Sequence, residues 1–379
     1  MKWLDRMPRM LDECCGHAAS ALTRRGLLKS GVAATLLGGA TILEPRQSAA
    51  HSDRPEGGRE SLIPAAAGGS TAHRRDEITL RWLGTACFEL VYRDRVYLLD
   101  AFYDERGPRT RPIGLTPEQV IRADAIFIGH AHYDHIADAA SAAIRTGAPV
   151  IGDQLVSVPL LQSQGLPPQQ THGVSGLGGE RLDFDGFTVE PILAHHSVAI
   201  AGVDAKGDSL YQNILDAYTA VGPAITPAEL GLIGSETSRG SNDLRILAQG
   251  TIAYLFTFDT GYRLLWLDSA GPITAQLQDA MQRVGSTNVA IVGYQGNGFA
   301  HFEVPVTLPL VQLFKPDLFL PNHHDQFIVG MKTVVPDIAT EPLFLAIRDM
   351  LPNTQCESPL YRTPVCINIR TGEIRKGRR

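Results

Sequence analysis

His130-Ala131-His132-Tyr133-Asp134-His135 packs four metal-capable side chains into six consecutive residues. It follows the apolar run Ala125–Gly129 and precedes the Ala-rich stretch Ile136–Arg145, an order that reads as buried strand, loop and helix. In extended backbone, residues two apart point the same way. His130 and His132 can therefore aim two imidazoles at one cation, while Asp134 and His135 are turned by the helix start toward a neighbouring position. Asp134 also suits helix capping. Imidazoles mixed with a carboxylate fit zinc, iron or manganese better than calcium.

Upstream, the apolar runs Ile78–Leu83, Cys87–Tyr92 and Val96–Leu99 are split by short polar turns, as in a β-meander. Thr116-Pro117-Glu118-Gln119 offers an N-cap, a proline at N1 and a glutamine at N3, and predicts a helix. Val150–Ile151 and Phe187–Ala194 read as further strands. A second copy of the opening follows. Gly84-Thr85 starts two apolar runs that end at Asp100, and Gly250-Thr251 starts two more, Ile252–Phe258 and Tyr262–Leu267, that end at Asp268. This repetition predicts an α/β sandwich of two sheets in pseudo-repeated halves. Between them, residues 197–249 form an insertion with helix signals at Leu210–Val221 and after Thr226-Pro227. It reads either as a substrate-shaping lid or as a solvent-facing excursion.

Seven of the twelve histidines fall in three clusters, the first above plus His195-His196 and His323-His324. Period-two geometry allows only one of His195 and His196 to face a shared centre. The apolar pattern does not decide which, because both parities of Phe187–Ala194 are mainly apolar. Asp268, within Leu267-Asp268-Ser269-Ala270-Gly271, ends a strand and is either a ligand or a cap.

His130-Ala131-His132-Tyr133-Asp134-His135 resembles the signature of the metallo-β-lactamase superfamily, and the likeness runs from about Ile78 to about Phe327. Trp82-Leu83-Gly84-Thr85-Ala86 resembles the opening strand of its branch containing ascorbate-6-phosphate lactonase and the phospholipase D acting on N-acyl-phosphatidylethanolamines. The resemblance implies a four-layer αββα sandwich and two divalent transition-metal ions, zinc foremost, with manganese or iron as alternatives. It implies His130, His132 and a downstream histidine at one ion, Asp134 and His135 at the other, and Asp268 between them. The histidine before the serine, His196, is favoured for the downstream ligand. His323, in Pro321-Asn322-His323-His324-Asp325, is favoured as the last one. Their neighbours His195 and His324 would be hydrogen-bond partners or substrate contacts.

The expected reaction is attack of a metal-activated hydroxide on an ester, lactone or phosphodiester of a small-molecule or lipid-derived substrate. Asp134 would hold one ion and orient the nucleophile or relay its proton, while Tyr294 and His301 are candidates for the leaving-group acid. Two other readings compete. One is a metallo-redox protein on the same fold, weakened because the stretch after Phe327 is too short for a flavodoxin-like domain. The other is a metal-binding envelope protein without turnover.

Composition narrows the field. The chain has 379 residues, 44% hydrophobic and 20% charged, enough apolar content for a packed core. Residues 1–50 hold seven basic and four acidic side chains, which leaves 27 against 36 and a net charge of −9 for the rest. That balance opposes a nucleic-acid partner. Thr23-Arg24-Arg25-Gly26-Leu27-Leu28-Lys29, the apolar stretch Gly31–Leu43 and Ser48-Ala49-Ala50 resemble a twin-arginine export signal. Thirteen apolar residues reach about 20 Å as a helix, short of the ~30 Å hydrocarbon core, so a cleaved signal at 1–50 is expected rather than an anchor. The mature chain, periplasmic or secreted, would have no transmembrane helix. Residues 51–76, poor in large apolar side chains, read as a flexible leader to a hydrolase domain over 77–379. Cys14 and Cys15 would leave with the signal, and Cys356 and Cys366 are candidates for a disulfide.

Overall fold

The computed structural model describes residues 62–71, 74, 76–103, 112–197, 226–294, 296–325 and 336–376. Its strands are β1 (Glu77–Trp82), β2 (Phe88–Tyr92), β3 (Arg95–Leu99), β4 (Ala125–Phe127), β5 (Val150–Asp153), β6 (Thr171–Val174), β7 (Leu182–Phe184), β8 (Phe187–Ala194), β9 (Thr251–Phe258), β10 (Arg263–Leu267), β11 (Val289–Gly293), β12 (Leu318–Asn322), β13 (Gln355–Cys356), β14 (Pro364–Asn368) and β15 (Ile374–Lys376). Among the described residues, one sheet runs β15-β14-β1-β2-β3-β4-β5-β6 and the other β13-β12-β11-β10-β9-β8-β7.

Alternation along the strands builds the layers. In β3, Tyr97 and Leu99 face the space between the sheets, where Phe127, Phe256 and Trp266 also pack. Val96 and Leu98 face outward, against alanines of the helix Ala139–Thr146. The second sheet repeats this, with Leu265 and Phe319 turned toward Leu277, Val311 and Leu343 of its own covering helices. Both faces of each sheet are covered, so both parities of the central strands are apolar. The result is the four-layer αββα sandwich.

The two halves repeat in register. β2 and β3 form an antiparallel hairpin, and β4 and β5 follow in parallel. β9 and β10 form the second hairpin, with β11 and β12 parallel beyond it. Arg93 and Asp94 take positive φ of 47° and 59°, the two-residue turn that matches strand twist. The repetition brings Asp100 and Asp268 to equivalent strand ends.

Several expectations change. The signal at Thr116 yields only the single 3-10 turn Pro117–Gln119, although its capping box forms. The amides of Ile121 and Arg122 donate to Ala66 O, at 2.8 and 3.1 Å, and draw the chain out of the helix. That contact also changes the leader. Ala65 and Ala66 are buried, and Ala66 N donates to the buried Glu89 carboxylate at 2.7 Å, so residues 62–71 pack on the sheet instead of trailing from it. Small side chains fill a shallow site that composition alone does not register. The expected helix Ile136–Arg145 divides into Tyr133–Ile136 and Ala139–Thr146, because Asp138 turns its carboxylate to Tyr103 N at 2.8 Å. Cys356 and Cys366 are free, in opposite sheets: Cys356 pairs with Phe319 and Cys366 with Thr79. The helix Pro227–Thr237 forms as expected, while Leu210–Val221 and residues 1–50 lie outside the described residues. No helix among the described residues is long and apolar enough to cross a membrane.

Candidate metal centre

The strand ends of both halves meet at one buried cluster of histidines and aspartates. His130 follows β4, and its Nε2 lies 2.9 Å from His132 Nδ1. His196, just beyond β8, sets its ring 4.6 Å from each of theirs. Its Nδ1 stands 2.9 Å from Ser197 O, which leaves Nε2 as the ligating nitrogen. On the other side, Asp134 Oδ2 lies 3.1 Å from His323 Nε2 and 3.4 Å from His135 Nε2. Asp268 ends β10 between the two groups, with Oδ2 2.6 Å from His130 Nδ1 and 3.3 Å from His135 Nδ1. Donor atoms fall into three overlapping sets: His130, His132 and His196; His130, His135 and Asp268; Asp134, His135 and His323. All seven residues named from the sequence are therefore brought together.

Their neighbours go elsewhere. His195 is half-buried, and its carbonyl lines the spot where a Cβ on Gly271 would stand, 2.3 Å away. His324 is buried and stacked on Trp82 at 4.2 Å, with Nε2 3.4 Å from Ser358 Oγ. Tyr294 is buried just past β11, and the side chain of His301 lies outside the described residues.

Electrostatics prepare the cluster for cations. Burial, assisted by neighbouring imidazoles, lowers His132 and His196 to about 3 and His130 well below its ordinary value. Three rings are thus held neutral with lone pairs available. Burial opposes charge on His135, but Asp134 and Asp100 outweigh it and raise that ring well above the usual range. Burial also opposes ionisation of Asp134, yet His135 and His323 hold it well below the ordinary carboxylate value. Asp268 Oδ1 is buried with no hydrogen-bond partner among the described residues. A buried carboxylate oxygen left without a hydrogen bond, beside three imidazoles held neutral with free lone pairs, is a donor set that fits divalent cations.

The sequence reading passed over two participants. Asp100 Oδ2 lies 2.6 Å from His135 Nδ1, and its Oδ1 accepts from Gly129 N at 2.9 Å. Asp100 and His323 hold left-handed backbone, φ 58° and 61°, a strain of about 1–3 kcal/mol each that fixes where their side chains point. Gly129 is the second: a Cβ there would stand 2.0 Å from Asp268 Oδ2. The repeat that equates Asp100 with Asp268 was the available signal for Asp100.

Comparisons agree with this geometry. A family model described as a β-lactamase superfamily domain matches residues 95–211, which include the first histidine cluster. A metal-dependent hydrolase of Thermoplasma volcanium is 29% identical over 129 residues, 33% of this chain and 51% of the relative. One from Cereibacter sphaeroides is 32% identical over 126 residues, 32% of this chain and 50% of the relative. The chain thus spans about half the length of the curated relatives it matches. Among solved structures, Igni18, a metallo hydrolase from Ignicoccus hospitalis, aligns with TM-score 0.50 at 17% identity over 77% of this chain and 98% of its own. CmlA, a diiron β-hydroxylase from Streptomyces venezuelae, aligns with TM-score 0.51 at 14% identity over 78% and 55%. Over residues 95–211 the chain is thus similar to the β-lactamase superfamily domain, and its two-sheet sandwich is the fold of these solved metallo-β-lactamase-like structures.

Proposed function

We propose that the chain is an exported hydrolase that uses two divalent transition-metal ions, zinc foremost, on a small-molecule or lipid-derived ester, lactone or phosphodiester. The observation that carries this reading is the convergence of two donor groups on Asp268, whose Oδ1 has no protein partner among the described residues. His130, His132 and His196 would hold one ion, and Asp134, His135 and His323 the other, with Asp268 shared. Bound there, such ions supply a nucleophile near neutral pH and polarise a carbonyl or phosphoryl oxygen. Asp134, kept ionised by His135 and His323, would hold one ion and orient the attacking water or relay its proton. Asp100, 2.6 Å from His135 Nδ1, would keep the ring proton on that nitrogen and leave Nε2 free to hold an ion.

Metal analysis of the wild type and His132→Ala tests this. About two ions per chain are expected in the first and about one in the second. Hydrolysis of a panel of phosphodiesters and lactones should fall by more than the roughly 10–100-fold typical of losing an outer-shell partner. Unchanged metal content in the variant, or none in either protein, overturns the reading. The diiron neighbour motivates one alternative on this fold, and iron in the purified protein with oxygen-dependent turnover would favour it.

Export rests on Thr23-Arg24-Arg25-Gly26-Leu27-Leu28-Lys29 and the apolar stretch after it. Protein recovered outside the cytoplasm should begin at His51 on N-terminal sequencing. A cytoplasmic protein beginning at Met1 sinks the localisation and leaves the hydrolase reading intact.

A further inference from the structure

The insertion returns to the domain as a short arm pressed against the first histidine cluster. Gly240 packs so closely on the His132–Tyr133 peptide that a Cβ would stand 2.1 Å from Tyr133 N and 2.7 Å from His132 C. Ser241 N donates to Ala131 O at 2.8 Å, so the arm grips the backbone on both sides of His132. Arg239 is the anchor. Its guanidinium forms an ion pair with the buried Asp138 and donates to Ala137 O at 3.1 Å, just past the helix that carries Asp134 and His135. Gln164 Nε2 in turn donates to Arg239 O at 2.8 Å. A few residues later Leu247 O accepts from His196 N at 3.1 Å. One stretch, 239–247, therefore touches the backbone at His132 and at His196, two of the three histidines in the first group.

We infer that this arm is a positioning clasp for the three-histidine group, with Arg239 and Gly240 as its positioning residues. The inference rests on the metal-centre reading above. Its physical basis is that His132 lies outside the sheet, where the helix start holds its carbonyl through His135 N and Ile136 N at 3.1 Å and the arm supplies the rest, a hydrogen bond to Ala131 O and the packing of Gly240 on the His132–Tyr133 peptide. Arg239 holds the arm down through Nη2, which reaches the Asp138 carboxylate and the Ala137 carbonyl, while Nη1 pairs with Glu236 of the arm's own helix at 2.9 Å, a two-nitrogen geometry lysine matches only in part. Loss of the clasp lets the His132 imidazole wander from its partners, and metal sites respond to loss of such supporting contacts by roughly 10–100-fold in affinity.

The test is cobalt(II) titration of the metal-stripped full chain, read by the visible ligand-field spectrum, for wild type, Arg239→Ala, Arg239→Lys and Gly240→Ala. The expected result is a weakening of about tenfold or more at one of two positions in Arg239→Ala and Gly240→Ala, with an altered spectrum there. The other position should stay within about threefold, and Arg239→Lys should recover part of the loss. Thermal unfolding of each metal-free protein separates the clasp from a general loss of stability. Two folded variants that bind both ions as the wild type does, with unchanged spectra, overturn the clasp. A wild type that takes up no cobalt instead defeats the metal-centre reading beneath it.

Discussion

Gly129→Ala should strip both ions from the centre while leaving most of the fold in place. The added Cβ would stand 2.0 Å from Asp268 Cγ and Oδ2 and 2.5 Å from Oδ1, so the carboxylate or the glycine has to move. The glycine is held on both sides: its amide donates to Asp100 Oδ1 at 2.9 Å and its carbonyl accepts from Ile252 N at 2.8 Å. The carboxylate is the freer partner, and in the proposed centre it is the group that would serve both ions. Displacing it removes a ligand from each position at once, so the loss exceeds that of any single histidine. Overpacking of this kind costs about 1–3 kcal/mol of stability, which a domain with three buried clusters tolerates. Metal content after dialysis should fall from about two per chain to near zero. Gly231→Ala serves as the control, because nothing stands within 4 Å of a Cβ at that exposed helical position. A Gly129→Ala protein with full metal content would show that the close approach has no bearing on the centre.

The first histidine cluster is legible in the sequence because its side chains are contiguous and follow a strand, so local geometry alone aims them. Asp268 becomes legible through the internal repeat. Choosing between His195 and His196 was beyond any pattern, since β8 is covered on both faces and neither parity is polar. The ring of His196 joins the cluster through the backbone past the strand, where Ser197 N donates to Ser269 Oγ at 3.0 Å and His196 N to Leu247 O. These are long-range contacts, invisible to a window of neighbouring residues. Asp100 was seen as the end of a strand but not as part of the centre, because its role depends on a ring 35 residues away. The lost helix at Thr116 fails for a related reason: its start signal is sound, but a carbonyl at Ala66 captures the next amides. Local chemistry writes where an element begins, and distant backbone decides how far it runs.

Asp100→Asn should weaken one ion and spare the other. In the wild type Oδ1 accepts from Gly129 N, and Oδ2 faces His135 Nδ1 at 2.6 Å. Burial lifts the Asp100 carboxyl to about 7, with the charge on His135 holding it from rising further and Asp268 adding to the lift. Either the carboxylate accepts the proton of Nδ1 or the two groups share it, and in both cases Nε2 points toward Asp134 and His323. An asparagine keeps its carbonyl on Gly129 N–H and so presents its amide NH2 to Nδ1. That nitrogen must then accept, which moves the ring proton to Nε2 and blocks the ligating lone pair. The same shape with the wrong tautomer disables a histidine in hydrolases that pair it with aspartate. The ion at Asp134, His135 and His323 should bind about 10–100-fold more weakly, and the ion at His130, His132 and His196 should change by less than about threefold. Competition titration against a chelator resolves the two affinities. Equal weakening at both positions would mean that Asp100 acts through Gly129 and the strand end rather than through the tautomer of His135, and no weakening at either would remove it from the centre.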